Sequence, residues 1–93
     1  MALTFEWDEA KASANERKHG VGFEEAATAF GDVLSVTVTD PDHSRDEDRF
    51  ILLGVTERDR LAVVAHTVRG DAIRLISARR ATAKERRGYE EGT

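Results

Sequence analysis

Cysteine is absent from these 93 residues. No disulfide can staple the fold and no thiolate can hold a metal, which suits a reducing cytosol. Long apolar runs are absent too. None approaches the roughly 18–20 residues that cross a bilayer, so no helical membrane anchor is expected. Residues 1–8 lack the basic start and apolar stretch of a secretory signal, and a cytoplasmic protein is expected. Aromatic residues are few, at 6%. They form no strand motif of the kind that stacks bases, which leaves a free-standing RNA-binding domain with the least support. Proline occurs once, at Pro41, inside the polar stretch DPDHSRDED (40–48). Its carboxylates show no histidine–carboxylate spacing that would build a cation cage. Neither metal nor cofactor is expected, and His43 reads as a solvated loop residue.

The chain is long enough for one domain, 1–93, and too short for a second core. So small a core leaves modest stability, which a partner that binds the folded form would raise. The formal charge is −4, which opposes non-specific RNA affinity. Its distribution is uneven. Residues 1–48 carry four basic and twelve acidic side chains, whereas residues 49–93 carry ten basic and six acidic, nine of the ten being arginine. Arginine's planar fork matches phosphate bidentately. One electropositive face on an acidic body fits this asymmetry, and so do two solvated faces laced by ion pairs.

The apolar pattern predicts the elements. A first helix starts at Asp8 as N-cap and ends at Gly20, with Glu9 and Arg17-Lys18-His19 matching its dipole. Phe23, Ala26, Ala27 and Phe30 form one stripe of a second helix over 23–30. Leu34, Val36 and Val38 alternate with polar residues, as in a half-buried strand. Residues 49–56, 61–68 and 71–78 read as three more strands, with 61–68 central because it is almost continuously apolar. Thr82-Ala83-Lys84-Glu85 is a capping box opening a last helix to about Glu91. The expected fold is α+β: two N-terminal helices, a four-stranded antiparallel meander and a C-terminal helix. Strand pairing is undecided around Arg69-Gly70. A two-residue loop sets His66 opposite Ile73, and a three-residue loop sets it opposite Arg74.

Three segments carry a resemblance: FEWDEAKASANERKHGVGFEEAATAF (5–30), EDRFILLG (47–54) and LAVVAHTVRGDAIRLISARRATAKERRGYEE (61–91). The first holds a Phe-x-Trp-Asp start, a Lys, an Asn, a Lys-His-Gly turn and a Phe-Glu-x-Ala helix. The last holds an Arg-x-Ile-Ser-Ala-Arg core. In this order they resemble the BrnT family, with Gly22 standing where members often have a polar residue. The resemblance implies a RelE-like fold and a bacterial ribonuclease toxin that cleaves RNA and stops translation. It also implies a BrnA-type antitoxin with a ribbon-helix-helix domain. The two would assemble as a heterotetramer that meets operator DNA only through the antitoxin.

Metal-free RNA cleavage needs a base for the 2′-hydroxyl, cations for the phosphorane-like charge and an acid for the leaving 5′-oxygen. The catalytic candidates are Lys18, His66, Arg69, Arg74 and Arg79. His19, Arg49, Thr67 and Ser77 are candidates for holding RNA. Each has a plainer reading. Lys18 and His19 cap a helix, His66 packs in a strand, and Arg69 and Arg74 face solvent. Arg80, Arg86 and Arg87 read as a solvated rim, and Tyr89 as a hydrogen-bonding helper. No unmistakable acid–base pair stands out. The alternative is therefore a non-catalytic module that binds the antitoxin in an autoregulatory repressor complex.

Overall fold

The computed structural model describes residues 3–40 and 48–92. The first helix, α1 (Glu9–His19), is capped as its sequence predicts. Asp8 accepts the Lys11 N–H, and Gly20 closes the end at φ 74°, a conformation that is cheap only without a Cβ. α1 has no apolar stripe. Its one buried residue is Asn15. The stripe from Phe23 to Phe30 forms α2 (Phe23–Thr28) and then tightens into a 3-10 turn (Ala29–Gly31). It therefore ends as a helix two residues before Phe30. The capping box at Thr82 and Glu85 is formed and opens α3 (Ala83–Glu91).

The sheet departs from the expected four antiparallel strands. Five strands run in the order β1-β5-β4-β3-β2. They are β1 (Thr4–Glu6), β2 (Val36–Thr39), β3 (Arg49–Val55), β4 (Leu61–Arg69) and β5 (Ala72–Arg80). β2 to β5 make the predicted meander with β4 at its centre, while β1 adds to β5 in parallel. A three-residue strand is too short to show a period of two, and its partner lies far along the chain. Neither fact leaves a local pattern to read. β2 also departs from expectation. It begins only at Val36, and its valines are exposed, Val36 by 44% and Val38 by 54%. As an edge strand it lies outside the helix-covered core. Before it, the Asp32 carboxylate accepts the N–H groups of Leu34 and Val55 and bends the chain. Of the acidic loop, residues 41–47 lie outside the described residues.

Helices α1 and α2 cover one face. Val21, Phe23, Ala26, Ala62, Val64, Leu75 and Ala78 form the core there, with Phe5, Trp7 and Phe30 packed at its margin. Trp7 meets Phe23 edge-on, and Phe5 meets Phe30 likewise. Gly54 is required by close approach, since a Cβ there would lie 2.8 Å from the Ala29 carbonyl oxygen. A buried polar cluster ties the layers. Glu25 takes hydrogen bonds from Arg60 and Thr56, and Arg60 also donates to the Gly20 carbonyl. The Arg60 guanidinium beside Glu25 holds that carboxyl below its ordinary range.

Two registers decide what faces what. The β4–β5 turn is Gly70-Asp71, with Gly70 at φ 57°, so Arg69 pairs with Ala72 and Thr67 with Arg74. Neither alternative read from the sequence holds, because the turn starts one residue later. Further along, Ala65 pairs with Ser77 but His66 pairs with Leu75. Ile76 is thus an extra residue, a β-bulge. Beyond β1, the β5 edge is closed by a side chain. Asn15 donates to the Ala78 carbonyl at 2.8 Å and accepts the Ala78 N–H at 3.1 Å, and it donates again to Val21.

Asn15→Ala should strand those buried backbone groups at about 1–3 kcal/mol each, for a total loss of about 2–4 kcal/mol. Urea unfolding measures it, and a loss under about 0.5 kcal/mol would show that α1 docks without this contact. Leu75→Asp should prevent soluble accumulation, because an unpaired carboxylate in the core costs several kcal/mol. Soluble, cooperatively melting protein would overturn that expectation.

Candidate active site

Opposed residues of an antiparallel pair share a face. Arg49 lies opposite Thr67, and Thr67 lies opposite Arg74. The three form a row across β3, β4 and β5 on the face away from α1 and α2. Glu6 extends the row on β1, 3.6 Å from the Arg74 guanidinium. Thr67 is buried, and its hydroxyl donates to the Asp48 carbonyl at 2.7 Å. A cleft of about 250 Å³ opens here, lined by Asp8, Lys11, Arg49, Thr67, Arg69 and Arg74, with Leu75 and Ile76. Asp8 is held below the ordinary carboxylate range, chiefly by the Lys11 N–H it accepts, with the Lys11 and Arg74 charges adding to the effect. The cleft is therefore cationic with two carboxylates at its margin.

A second depression, of about 290 Å³, holds Lys18, His19 and Ser77 beside Lys11 and Ile76. Arg69, Arg74, Arg49 and Thr67 are thus brought together, and Lys18, His19 and Ser77 form the adjoining group. Two candidates stand elsewhere. His66 points to the opposite face, 5% exposed, between Phe30 and Phe50, with Nδ1 3.2 Å from the Val64 carbonyl. Burial pushes its imidazole below its ordinary value. His66 and Arg74 do not share a site. Arg79 is clamped by Glu85 through two bonds of 2.8 and 2.9 Å. Its fork is taken by α3.

The sequence reading missed Glu6, Asp8 and Lys11 as site residues. Lys11 carried a usable signal, since Lys11 and Lys18 are seven residues apart and share a helix face. Glu6 carried none, because its place depends on β1 pairing with β5. Among the described residues no three His, Cys, Asp or Glu side chains gather as a metal cage. No helix among them is long and apolar enough to cross a membrane.

Residues 7–85 match the family described as ribonuclease toxin, BrnT, of type II toxin–antitoxin system. The chain belongs to the BrnT family of ribonuclease toxins. The BrnT match covers every lining residue of both depressions, and Glu6 lies one position before it. The 1.1 Å crystal structure of the Brucella abortus ribonuclease toxin BrnT is similar to this chain with a TM-score of 0.64. The likeness covers 87% of this chain and 99% of that one at 23% identity. At that identity it is a likeness of fold, and it extends to the mixed sheet. No curated protein sequence matches the chain.

In this BrnT chain α3 is anchored by two polar ties. One is the Arg79–Glu85 clamp, which with the capping box pulls the Glu85 carboxyl down to about 2. The other is the Tyr89 hydroxyl, which donates to Asp32 at 2.6 Å and is pushed up to about 12. Burial works to raise Asp32, but the Tyr89 hydroxyl and two backbone N–H groups outweigh it and hold the carboxyl low. The signs give opposite pH limits. Tyr89 contributes fully below its unfolded value near 10.0, and the contribution fades as pH rises through 10 towards 12. Glu85 contributes fully above its unfolded value near 4.5, and the contribution fades as pH falls towards 2. Melting temperature against pH should lose part of its alkaline fall in Tyr89→Phe and part of its acid fall in Glu85→Gln. An unchanged alkaline limb in Tyr89→Phe would mean that the Asp32 bond does not hold α3 in solution.

Proposed function

We propose that this BrnT-family chain is a metal-independent endoribonuclease of the bacterial cytoplasm that cuts RNA and so stops translation. The observation that carries the reading is the row Arg49, Thr67 and Arg74 within one cationic cleft. In the reaction the 2′-oxygen attacks phosphorus and gives its proton to a base. The bond to the 5′-oxygen breaks, and that oxygen takes a proton from an acid. Charge grows on the non-bridging oxygens between these events. Arg74, with Arg49 and Arg69 beside it, is placed to clamp them, and the guanidinium supplies the positive charge that a metal would supply elsewhere. Thr67 fixes the floor on which the two arginines lie. His19 beside Lys18 and Ser77 lines the adjoining depression, where the three are candidates for holding RNA, and buried His66 is shut off from the cleft.

The partner in this reading is a BrnA-type ribbon-helix-helix antitoxin, assembled as a heterotetramer that touches operator DNA only through the antitoxin. The family's place in type II toxin–antitoxin systems supports it. So does the exposed apolar pair Val36 and Val38 on β2, since Val38 lies two strands from the cleft beside Ile51 and Ala65. An acidic and apolar antitoxin segment laid there would neutralise the arginines and cover the cleft together. The non-catalytic alternative draws on one observation, the burial of His66 away from the cationic cleft.

Arg74→Lys keeps the charge but loses the fork. Losing a transition-state contact of this kind should slow RNA cleavage roughly 10²–10³-fold, with stability changed by less than about 1 kcal/mol. Gel assays on purified protein with and without EDTA measure the rate, and thermal melts measure the fold. Cleavage by Arg74→Lys at the wild-type rate would remove Arg74 from the chemistry. Wild-type protein that binds its antitoxin yet leaves RNA intact would establish the non-catalytic module instead.

A further inference from the structure

The two depressions adjoin, since Lys11 and Ile76 belong to the lining of both. Lys11, Asn15 and Lys18 lie at i, i+4 and i+7 on one face of α1. Asn15 is hydrogen-bonded to Ala78 on β5, so this face is turned to that strand. Lys11 and Lys18 stand about 10 Å apart along the helix at 1.5 Å per residue. Across from them, Arg74 and Ser77 lie opposite Thr67 and Ala65, two residues apart on β4, so the bulge leaves them about 7 Å apart along β5 at ~3.3 Å per residue. Lys11 and Ile76 thus stand where the two depressions meet. The crease thus has Lys11 and Lys18 on its helical wall and Arg74 on its strand wall.

We propose that this crease is a track for the backbone of single-stranded RNA, with Lys11 as the binding residue between two successive phosphate subsites. The inference rests on the ribonuclease reading and names its substrate class. Two features favour a single strand. Lys11 on α1 and Arg74 on β5 line one depression, so the backbone of a flexible strand can meet both, whereas an A-form duplex offers a wide, shallow minor groove and phosphates on a convex surface. And no Phe, Tyr or Trp lines either depression. With His19 the one ring side chain in the two linings, contact falls mostly on phosphates rather than bases, so affinity depends on salt and little on sequence. Lys11 itself is exposed and takes no part in the core. Its removal therefore tests binding without threatening the fold.

The probe is a short 2′-O-methyl oligonucleotide, which cannot be cleaved, in two unrelated sequences and as a duplex. Fluorescence anisotropy across a salt series gives affinity and salt slope. Wild type should bind both single strands alike and the duplex more weakly. Lys11→Ala should weaken both single strands equally and lower the slope of log K against log salt by about 0.7–1. Lys11→Arg should restore the slope, and Lys84→Ala on exposed α3 should leave it unchanged. An unchanged slope in Lys11→Ala with an unchanged melting temperature, or a duplex bound as tightly as a single strand, would overturn the track. Cleavage of unmodified RNA by wild type is measured alongside. If RNA is cut while Lys11→Ala binds normally, the track falls and the ribonuclease reading stands. If the Lys11-dependent slope appears and RNA is not cut, the track stands and the ribonuclease reading falls.

Discussion

Ile76 has no partner on β4, and the site depends on that missing pair. Arg74 and Ser77 are three residues apart, so a regular strand would send them to opposite faces. The extra residue returns Ser77 to Arg74's side of the sheet, opposite Ala65. It also lets Leu75 and Ala78 both reach the core. A bulge bends its strand and leaves backbone groups unpaired. β1 covers β5 up to Arg74, and Asn15 closes the edge at Ala78. α1 thereby takes the place of a longer edge strand. Both depressions lie beside that helix and the bulge, with Lys11 and Ile76 in the lining of each.

The same arrangement sorts the charges. The cations of the second half divide between an exposed set, Arg58, Arg80, Lys84, Arg86 and Arg87, and a set held in ion pairs or in the cleft. Arg60 is spent on buried Glu25 and Arg79 on Glu85, both inside the architecture. Arg49, Arg69 and Arg74 converge with Lys11 on one cleft. Both readings of the charge asymmetry are therefore realised, ion pairs holding the layers and an electropositive cleft between them. The two carboxylates that remain nearby, Glu6 and Asp8, come from the acidic half and sit at the margin of that cleft. Glu6 holds Arg74 loosely, at 3.6 Å with both side chains partly exposed. Such a contact orients a side chain without consuming it.

Local chemistry was legible wherever a single segment carried it. The cap at Asp8, the left-handed Gly20, the capping box at Thr82 and Glu85, and the central place of β4 all follow from residues within a few positions of one another. Each is decided by backbone hydrogen-bonding needs or by an unbroken apolar run, and neither requires a distant partner. The candidates Arg49, Thr67, Arg69 and Arg74 were legible as residue types, and so were Lys18, His19 and Ser77. The family resemblance also resided in the sequence, because its motifs are local strings.

Partnership across the chain was decided by the tertiary structure alone. β1 is three residues whose partners among the described residues, Ala72, Ile73 and Arg74, lie almost 70 positions away. Which residue opposes His66 depended on where a turn begins, and which residue opposes Ala65 on one bulge. A shift of one position reverses every face. His66 therefore went to the core against Phe30 and Phe50, while its neighbour Thr67 went to the cleft. Lys11 became a site residue only when Asn15 fixed the face of a helix that has no apolar stripe to orient it. Sequence determined what each segment is, because capping and periodicity are satisfied within a few residues. Structure decided what each segment faces, because facing is set by register, and register is a relation between segments that no segment carries by itself.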